Sequence, residues 1–242
     1  MKKIILITGG SRGIGKATSI ELANQGYMVC INYTKDVESA KILEDRIKAN
    51  GGDAISIKAD ISKESDVLKL FQEIDNLKDR GIFYGLVNNA GIIGEKSSLI
   101  NISAERIRKI FDVNVVGTFL CTKEAIKRMT NGGSIVNISS LASKLGSPNE
   151  YIDYASTKGA IDTFTIGLSK EVSERNIRVN AIRPGFIETD IHKIPNRLED
   201  LKSTIPMKRI GKPKEIAKVV VWLLSDDSSY TTGAIIDVTG GR

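Results

Sequence analysis

The sequence predicts an α/β fold, a doubly wound parallel β-sheet of about seven strands with helices on both faces. Short apolar runs rich in β-branched residues recur along the 242 residues, as expected of parallel strands that are buried on both faces. Amphipathic segments with helical periodicity lie between these runs. Because connections between parallel strands are right-handed, this alternation predicts helices on both sides of one sheet.

The boundaries of the predicted strands follow the apolar runs. These strands are Lys3–Ile7, Met28–Asn32, Ala54–Lys58, Gly85–Asn88, Ser134–Ser139, Arg178–Ile182 and Ala234–Val238. A helix predicted from Val37 to Asn50 has apolar residues three or four positions apart, and Gly51 and Gly52 end it. No linker, internal repeat or low-complexity tract interrupts the pattern, so residues 1–242 are expected to form a single domain.

Composition limits the classes of function. Cys30 and Cys121 lie far apart without a CxxC motif, so we expect reduced thiols in a cytoplasmic protein, and no metal site. The start "MKKIILITGG" resembles a signal peptide, but its apolar run is too short and ends in a glycine turn. No apolar stretch reaches the roughly 20 residues of a membrane span. The net charge is +6, but basic residues alternate with acidic ones, so neither nucleic acid nor a membrane is expected as a partner.

A glycine-rich segment, "LITGGSRGIGKAT" (residues 6–18), follows the first predicted strand. From Gly10 to Lys16 it fits the phosphate-binding pattern GxxxxGK of nucleotide hydrolases, but the next residue is Ala17 where that loop needs a hydroxyl for magnesium. It also contains TGxxxGxG, which opens a helix directly after a strand. The amides at such a helix N-terminus can bind the pyrophosphate of a dinucleotide.

Four motifs occur along the chain in a fixed order: TGxxxGxG from Thr8, NNAG from Asn88, YxxxK from Tyr154 and Pro184-Gly185. Together they resemble the short-chain dehydrogenase/reductase family, and the resemblance covers nearly the whole chain. It implies a Rossmann-like fold, a nicotinamide cofactor and hydride transfer, and so favours a dinucleotide in the glycine loop.

The expected proton donor is Tyr154, which shares one face of a helix with Lys158 because the two are four residues apart. An ammonium roughly 4 Å from the phenol, at an effective dielectric constant near 20, is worth about 4 kcal/mol. That energy corresponds to a fall of about three units in the phenol pKa, towards physiological pH. Tyr151, one turn earlier, has no such partner and is expected to line the substrate pocket.

The resemblance supplies two further catalytic residues. The family's usual serine is the second of the pair that ends the fifth strand, which is Ser140 here. Ser139 stays an alternative, because the segment up to Tyr154 is one residue longer than is usual in the family. Asn114 matches the helix asparagine that organises a water molecule and the lysine into a proton relay.

NADP(H) is favoured as the cofactor, and NAD(H) is possible. No acidic residue occurs at Asn32, Tyr33 or Thr34, where an NAD-binding carboxylate is expected, and Asp36 comes late enough to cap a helix instead. Arg12 can reach a 2′-phosphate. The resemblance places further residues against the cofactor, and Asp60 among them could instead cap the next helix. These are Gly9, Ser11, Gly13, Ile14, Gly15, Asn32, Tyr33, Asp60, Ile61, Asn88, Ala90, Gly91, Tyr154, Lys158, Pro184, Gly185, Ile187 and Thr189.

The substrate is less defined than the cofactor. Within the family, the chain resembles bacterial 3-oxoacyl-carrier-protein reductases and glucose dehydrogenase-like members. Ketone reduction and sugar or alcohol oxidation are therefore both open, and a non-catalytic NADP-binding regulator is an alternative of another class. Residues 188–207 match the family's substrate lid, and the single histidine, His192, lies there without a metal-binding partner.

Two features bear on macromolecular partners. Arg128 and Arg175 match positions where ketoacyl reductases place basic residues for an acyl carrier protein. The last strand, "GAIIDVTGG", resembles the edge strand that packs against its symmetry mate in family tetramers. A homotetramer or dimer is expected, unless this strand lies inside the core of one chain.

Overall fold

The computed structural model describes residues 1–189 and 202–242. Its centre is a seven-stranded parallel sheet of order β3-β2-β1-β4-β5-β6-β7. The strands are β1 (Lys2–Ile7), β2 (Met28–Tyr33), β3 (Asp53–Lys58), β4 (Gly81–Asn88), β5 (Gly133–Ile138), β6 (Ile177–Pro184) and β7 (Ile235–Val238). The predicted doubly wound, Rossmann-like fold is confirmed.

Helices cover both faces of this sheet. The α-helices are α1 (Gly13–Asn24), α2 (Val37–Ala49), α3 (Glu64–Asp75), α4 (Ala104–Phe111), α5 (Gly117–Arg128), α6 (Ala142–Leu145), α7 (Ile152–Glu171) and α8 (Pro213–Leu224). A π-helical turn, Asp112–Val116, joins α4 to α5. Among the described residues, no helix is both long and apolar enough to cross a membrane.

The predicted strand boundaries agree with the structure to within two residues, except at β4. That strand begins at Gly81, four residues before the predicted Gly85, because burial alternates over its first half. Alternating burial is typical of a half-exposed strand, which lacks the continuous apolar run by which a fully buried strand is predicted. Helix α2 ends at Ala49, and the left-handed backbone of Gly51, with φ of +79°, follows it.

Two apolar layers hold the helices on the sheet. Leu22 of α1, Leu43 of α2 and Val220 of α8 belong to one layer, whereas Phe71 of α3 and Cys121 of α5 belong to the other. Since both faces are covered in this way, the carboxyl ends of the strands are where a ligand can enter.

A buried carboxylate ties α2 to the edge of the sheet. Glu44 of α2 accepts hydrogen bonds from the backbone N–H of Ser56 on β3 at 2.9 Å and from its hydroxyl at 2.6 Å. Burial works against its ionisation, but hydrogen bonds from Lys48 and Ser56 prevail and lower the pKa of Glu44 to about 2.

Candidate active site

A cleft of about 1330 Å³ lies at the carboxyl ends of the strands. Ordinary ligand pockets measure about 300–1000 Å³, so this one has room for a dinucleotide together with a small substrate. It begins at the glycine loop after β1, passes the ends of β2, β4 and β5, and reaches the start of α7 and the residues after β6.

The glycine loop is built for a close approach of backbone atoms. Gly9 and Gly13 have φ angles of +60° and +52°, which favour glycine. A Cβ on Gly15 would overlap the carbonyl oxygen of Gly9 and lie 2.6 Å from Nδ2 of Asn89. Helix α1 starts at Gly13 with no acidic residue in its first turn, so its N-terminal N–H groups can donate hydrogen bonds to an anion.

Asn89 braces this loop, a role that the sequence analysis missed. Its Nδ2 donates to the carbonyl oxygens of Thr8 and Gly9, both at 2.9 Å. In return, the hydroxyl of Thr8 accepts from the backbone N–H groups of Asn89 and Ala90 at 3.0 Å. The only earlier signal was the position of Asn89 inside the NNAG motif.

The end of the cleft near β2 is basic. Arg12, Tyr33 and Lys35 line it, and Lys35 lies in none of the four sequence motifs. Asp36 also borders it, but its Oδ1 accepts from the backbone N–H of Ser39 at 2.9 Å and caps α2, as predicted. That hydrogen bond and the charge of Arg12 lower the pKa of Asp36.

Three residues predicted to contact the cofactor do not line the cleft. Asn32 is 1% exposed, and its side chain accepts from the N–H of Gly9 at 3.3 Å and donates to the carbonyl of Ala59 at 3.0 Å. Asn88 turns inward too, towards Thr122 and Asn137. Gly15, Asn32 and Asn88 thus lie behind the residues that line the cleft, and their contact with a cofactor stays a prediction.

Other predicted cofactor residues do border the cleft. They are Gly9, Ser11, Arg12, Gly13, Ile14, Tyr33, Asp60, Ile61, Ala90, Gly91, Tyr154, Lys158, Pro184, Gly185, Ile187 and Thr189. Asp60 does not cap α3, whose N-cap is Lys63; its Oδ1 accepts from the hydroxyl of Ser62 at 2.7 Å.

The structure brings Tyr154 and Ser140 together at the cleft. Burial raises the pKa of Tyr154, and a hydrogen bond with Ser140 opposes that rise. Ser139 points elsewhere, since its hydroxyl donates to the backbone oxygen of Lys158 at 3.2 Å. This geometry favours Ser140 over the alternative Ser139.

Lys158 is 4% exposed, and its Nζ donates to the carbonyl of Ile138 at 2.7 Å. The ammonium lies 5.6 Å from the centre of the Tyr154 ring. Burial lowers the pKa of Lys158 to about 8, and the charge of Asp162 opposes the fall. The expected three-unit fall in the pKa of Tyr154 is wrong for this structure, because burial of the phenol raises its pKa instead.

Asn114 joins two walls of the cleft rather than lining it. It lies in the π-helical turn, and such turns are frequent at functional sites. Its side chain exchanges hydrogen bonds with both backbone groups of Ile92, at 2.8 and 2.9 Å, and donates to the hydroxyl of Thr157 at 3.1 Å. The loop after β4 is thereby attached to α7, one residue before Lys158.

A second link joins the same parts of the chain. Arg106 of α4 forms a buried ion pair with Asp153 of α7, the residue before Tyr154, through Nε at 2.7 Å and Nη2 at 3.1 Å. The Asp153 side chain is only 2% exposed. The start of α7 is thus held in place by a charge pair.

Leu145, Tyr151 and Phe186 also line the cleft, and a role for Tyr151 in binding substrate stays a prediction. Most of the predicted lid, with His192, falls outside the described residues. Its two flanks are joined, since Glu188 donates from its N–H to the carbonyl of Gly211 at 2.9 Å. Within residues 1–189 and 202–242, no cluster of three His, Cys, Asp or Glu residues could hold a metal ion.

The two arginines matched to carrier-protein contacts already have partners. Arg128 donates to both carboxylate oxygens of Asp75 at 2.7 Å and to Glu124 at 2.8 Å. Arg175 donates to the carbonyl of Ile126 at 2.7 Å.

Comparisons with known proteins show the family of the chain. The family described as enoyl-(acyl carrier protein) reductase matches residues 9–242. The chain is 49% identical to the uncharacterized oxidoreductase YgfF of Escherichia coli, with 99% of each chain covered. It is 38% identical to glucose 1-dehydrogenase 2 of Bacillus subtilis, over 99% of this chain and 94% of that protein. It is 37% identical to a 3-oxoacyl-[acyl-carrier-protein] reductase of Synechocystis sp., over 99% and 96%.

A mutant short-chain dehydrogenase/reductase of Serratia marcescens has the same fold, with a TM-score of 0.93 and 29% identity over 99% of this chain and 97% of that one. The chain belongs to the short-chain dehydrogenase/reductase family. As a short-chain dehydrogenase/reductase, it is an NAD(P)-dependent oxidoreductase. The residues present fit such a cofactor, because the cleft joins an anion-accepting helix N-terminus to a tyrosine–serine pair.

Proposed function

We propose that the chain reduces a ketone to an alcohol with NADPH, and that Tyr154 donates the proton. The observation that carries this proposal is the half-buried Tyr154, which lies beside Ser140 in the cleft that begins at the glycine loop. Because burial raises its pKa, the phenol keeps its proton at neutral pH. A protonated phenol suits donation to a carbonyl oxygen, whereas alcohol oxidation needs its rarer anionic form.

The chain's own residues prepare the carbonyl for reduction. Ser140 can donate a hydrogen bond to the substrate oxygen and so stabilise the negative charge that develops there. Tyr154 then transfers its proton to that oxygen. The ammonium of Lys158 lies over the phenol ring and can stabilise the phenolate that remains. The nicotinamide supplies the hydride when it is bound.

The preference for NADPH rests on charge at the β2 end of the cleft. Arg12 and Lys35 border it, and the carboxylate of Asp36, which also borders it, is engaged by the backbone of α2. A 2′-phosphate would meet two cations there, and a guanidinium can bind a phosphate with two hydrogen bonds. NAD(H), which has no 2′-phosphate, would gain nothing from either cation.

A titration with NADPH and NADH tests this preference. Arg12→Ala is expected to raise the NADPH Kd about tenfold or more, the loss of one charged hydrogen bond, and to leave the NADH Kd unchanged. Arg46→Ala, on the exposed side of α2, is the matched control. A parent that binds NADH as tightly as NADPH would refute the preference.

Turnover is tested by screening small ketones for consumption of NADPH. Tyr154→Phe is expected to lower kcat by about 10²–10⁴-fold, the usual contribution of general acid catalysis. Tyr230→Phe is the control, because Tyr230 is fully exposed. Equal rates in the parent and in Tyr154→Phe would refute the assignment and would favour the alternative of a non-catalytic NADP-binding regulator.

Oxidation of a sugar or another alcohol is the second candidate activity, and the likeness to glucose 1-dehydrogenase 2 favours it. Assaying alcohols with NADP⁺ beside the ketones compares the two directions. A carrier-bound substrate has less support, because Arg128 is already paired with Asp75 and Glu124.

We also propose self-association, as a dimer or a homotetramer. Phe119 of α5 is 47% exposed and stacks on Phe164 of α7, with ring centres 4.0 Å apart. Such an apolar surface pair favours burial against a second copy. Strand β7 offers another contact, since it forms an edge of the sheet. Light scattering on the parent and on Phe119→Ser measures the assembly, and a monomeric parent would refute it.

A further inference from the structure

Asp162 is a buried carboxylate outside the lining of the cleft, one turn after Lys158 on α7. Arg183 of β6 donates to its Oδ2 twice, from Nε at 2.9 Å and from Nη2 at 2.8 Å. Oδ1 is buried and has no hydrogen-bond partner among the described residues. Both guanidinium donors thus bind one oxygen, and the other oxygen is left without a donor in the protein interior.

An arrangement of this kind is costly and calls for a reason. Burying a charge destabilises a protein unless the charge is well paired, and a buried polar atom without a partner adds to that cost. An apolar side chain at position 162 would avoid both penalties at this site, but among the described residues it would leave Arg183 with only Asp237, at 3.5 Å, as a carboxylate partner. The position of Asp162 next to the active-site lysine supplies a reason, because that lysine is also a buried charge.

Lys158 lacks a direct counter-ion. Its ammonium is almost completely buried and donates to a carbonyl group, and no carboxylate lies within 4 Å of it in the described part of the chain. Asp162 is four residues further along the same helix, so the two side chains share one face. Its charge raises the pKa of Lys158, against burial, which lowers it to about 8.

Two charged groups on elements packed against α7 already have partners. On α4, Arg106 pairs with Asp153. On β6, Arg183 holds Asp162 and also lies 3.5 Å from Asp237 of β7. Tyr154, on α7 itself, is neutral in its protonated form.

Two further charges lie on elements packed against α7. On α6, Lys144 forms an ion pair with the same Asp237. Asp112, at the start of the π-helical turn, borders the cleft. Cations and anions therefore alternate outward from Lys158, and the carboxylate that comes first after it along α7 is Asp162. Arg183, Asp237 and Lys144 then follow in that order.

We propose that Asp162 is a positioning residue for the reaction: its carboxylate, fixed by Arg183, keeps the side chain of Lys158 an ammonium ion beside Tyr154. The inference rests on the proposed function, since it assigns a purpose to charge on Lys158. Without the Asp162 carboxylate, a lysine buried away from water loses its proton more readily. The phenolate left by proton donation would then lose its stabilising cation.

The test follows the lysine itself. Parent and Asp162→Asn are labelled with ¹³C-lysine, and the signal of Lys158 is identified by its loss in Lys158→Gln. NMR against pH then gives its titration midpoint without any substrate. The midpoint is expected to fall by about one pH unit in Asp162→Asn, and the alkaline limb of kcat with a ketone substrate should move down with it.

Asp237→Asn is the matched control, because it removes the outer carboxylate from the same arginine. Its lysine midpoint should equal that of the parent. An unchanged midpoint in Asp162→Asn, or an equal fall in Asp237→Asn, would overturn the proposal. Asp162→Glu keeps the charge and should keep the parent midpoint; a one-unit fall there would also overturn it, even if Asp162→Asn did not fold. If the parent reduces no ketone, the proposed function fails instead, whatever the lysine shows.

Discussion

Gly15→Ala tests whether the glycine loop leaves no room for a side chain. The added Cβ would overlap the carbonyl oxygen of Gly9 and lie 2.6 Å from Nδ2 of Asn89, whereas ordinary contacts begin near 3.4 Å. The loop backbone must therefore shift, and the amide must retreat by about 0.8 Å (3.4 − 2.6). The two hydrogen bonds of Asn89 to Thr8 and Gly9 would weaken. Each is worth about 0.5–1.5 kcal/mol, so the free energy of unfolding should fall by about 1–3 kcal/mol.

Two assays measure this effect. At about 2–4 °C per kcal/mol for a chain of this size, Tm should fall by roughly 2–12 °C. The NADPH Kd, from fluorescence titration, should rise about tenfold or more, because losing one hydrogen bond from the loop to a charged phosphate costs about 1.5–3 kcal/mol. Gly167→Ala is the control: no atom lies within 4 Å of its added Cβ, and alanine should stabilise α7 by up to about 1 kcal/mol. Parent-like affinity and Tm in Gly15→Ala would refute the reasoning.

Three further outcomes follow from buried groups. Arg106→Ala leaves Asp153 buried without its counter-ion, so urea unfolding should show a loss of about 3–5 kcal/mol; a loss below about 1 kcal/mol would contradict the pairing. Burial raises the pKa of the Cys30 and Cys121 thiols to about 12, so both should react with a thiol reagent only after unfolding, and rapid labelling of the native chain would count against this. Glu44 has a pKa of about 2 in the folded chain against 4.5 as its ordinary value, so its stabilisation is complete above pH 4.5 and is lost as pH falls towards 2. Glu44→Gln should therefore destabilise the chain most at neutral pH, and the deficit in urea unfolding should shrink as pH falls towards 2; a deficit that stays constant in acid would contradict this.

The sequence predicts the sheet well because most of its strands are buried on both faces. Continuous apolar runs mark such strands, and the half-exposed start of β4 was missed for lack of one. Helix boundaries marked by a cap, such as Asp36, or by a glycine, such as Gly51, could also be predicted. These signals are local, so a single sequence contains them.

The site is predicted less completely because side-chain direction depends on neighbouring strands. Asn32 and Asn88 stand at strand ends, as the cofactor hypothesis requires, yet both turn towards adjacent backbone or side chains. No spacing rule shows which way they turn. The predicted fall in the pKa of Tyr154 was wrong for a similar reason, since burial of the phenol is a property of the packed molecule and cannot be read from residue spacing. Asp162 lies outside every recognised motif.

The main-chain hydrogen bonds at the two ends of residues 188–207 have an evolutionary consequence. Glu188 and Phe186 are bonded to Gly211 on one side, and Met207 donates to the carbonyl of Gly240 on the other, at 3.1 Å. Both exits of the segment are therefore fixed by main-chain bonds, which do not depend on side-chain identity. Lengthening a loop with anchored ends costs only about 0.6 kcal/mol per doubling. The number and identity of the residues between these anchors can therefore change without loss of the main-chain bonds that fix both ends.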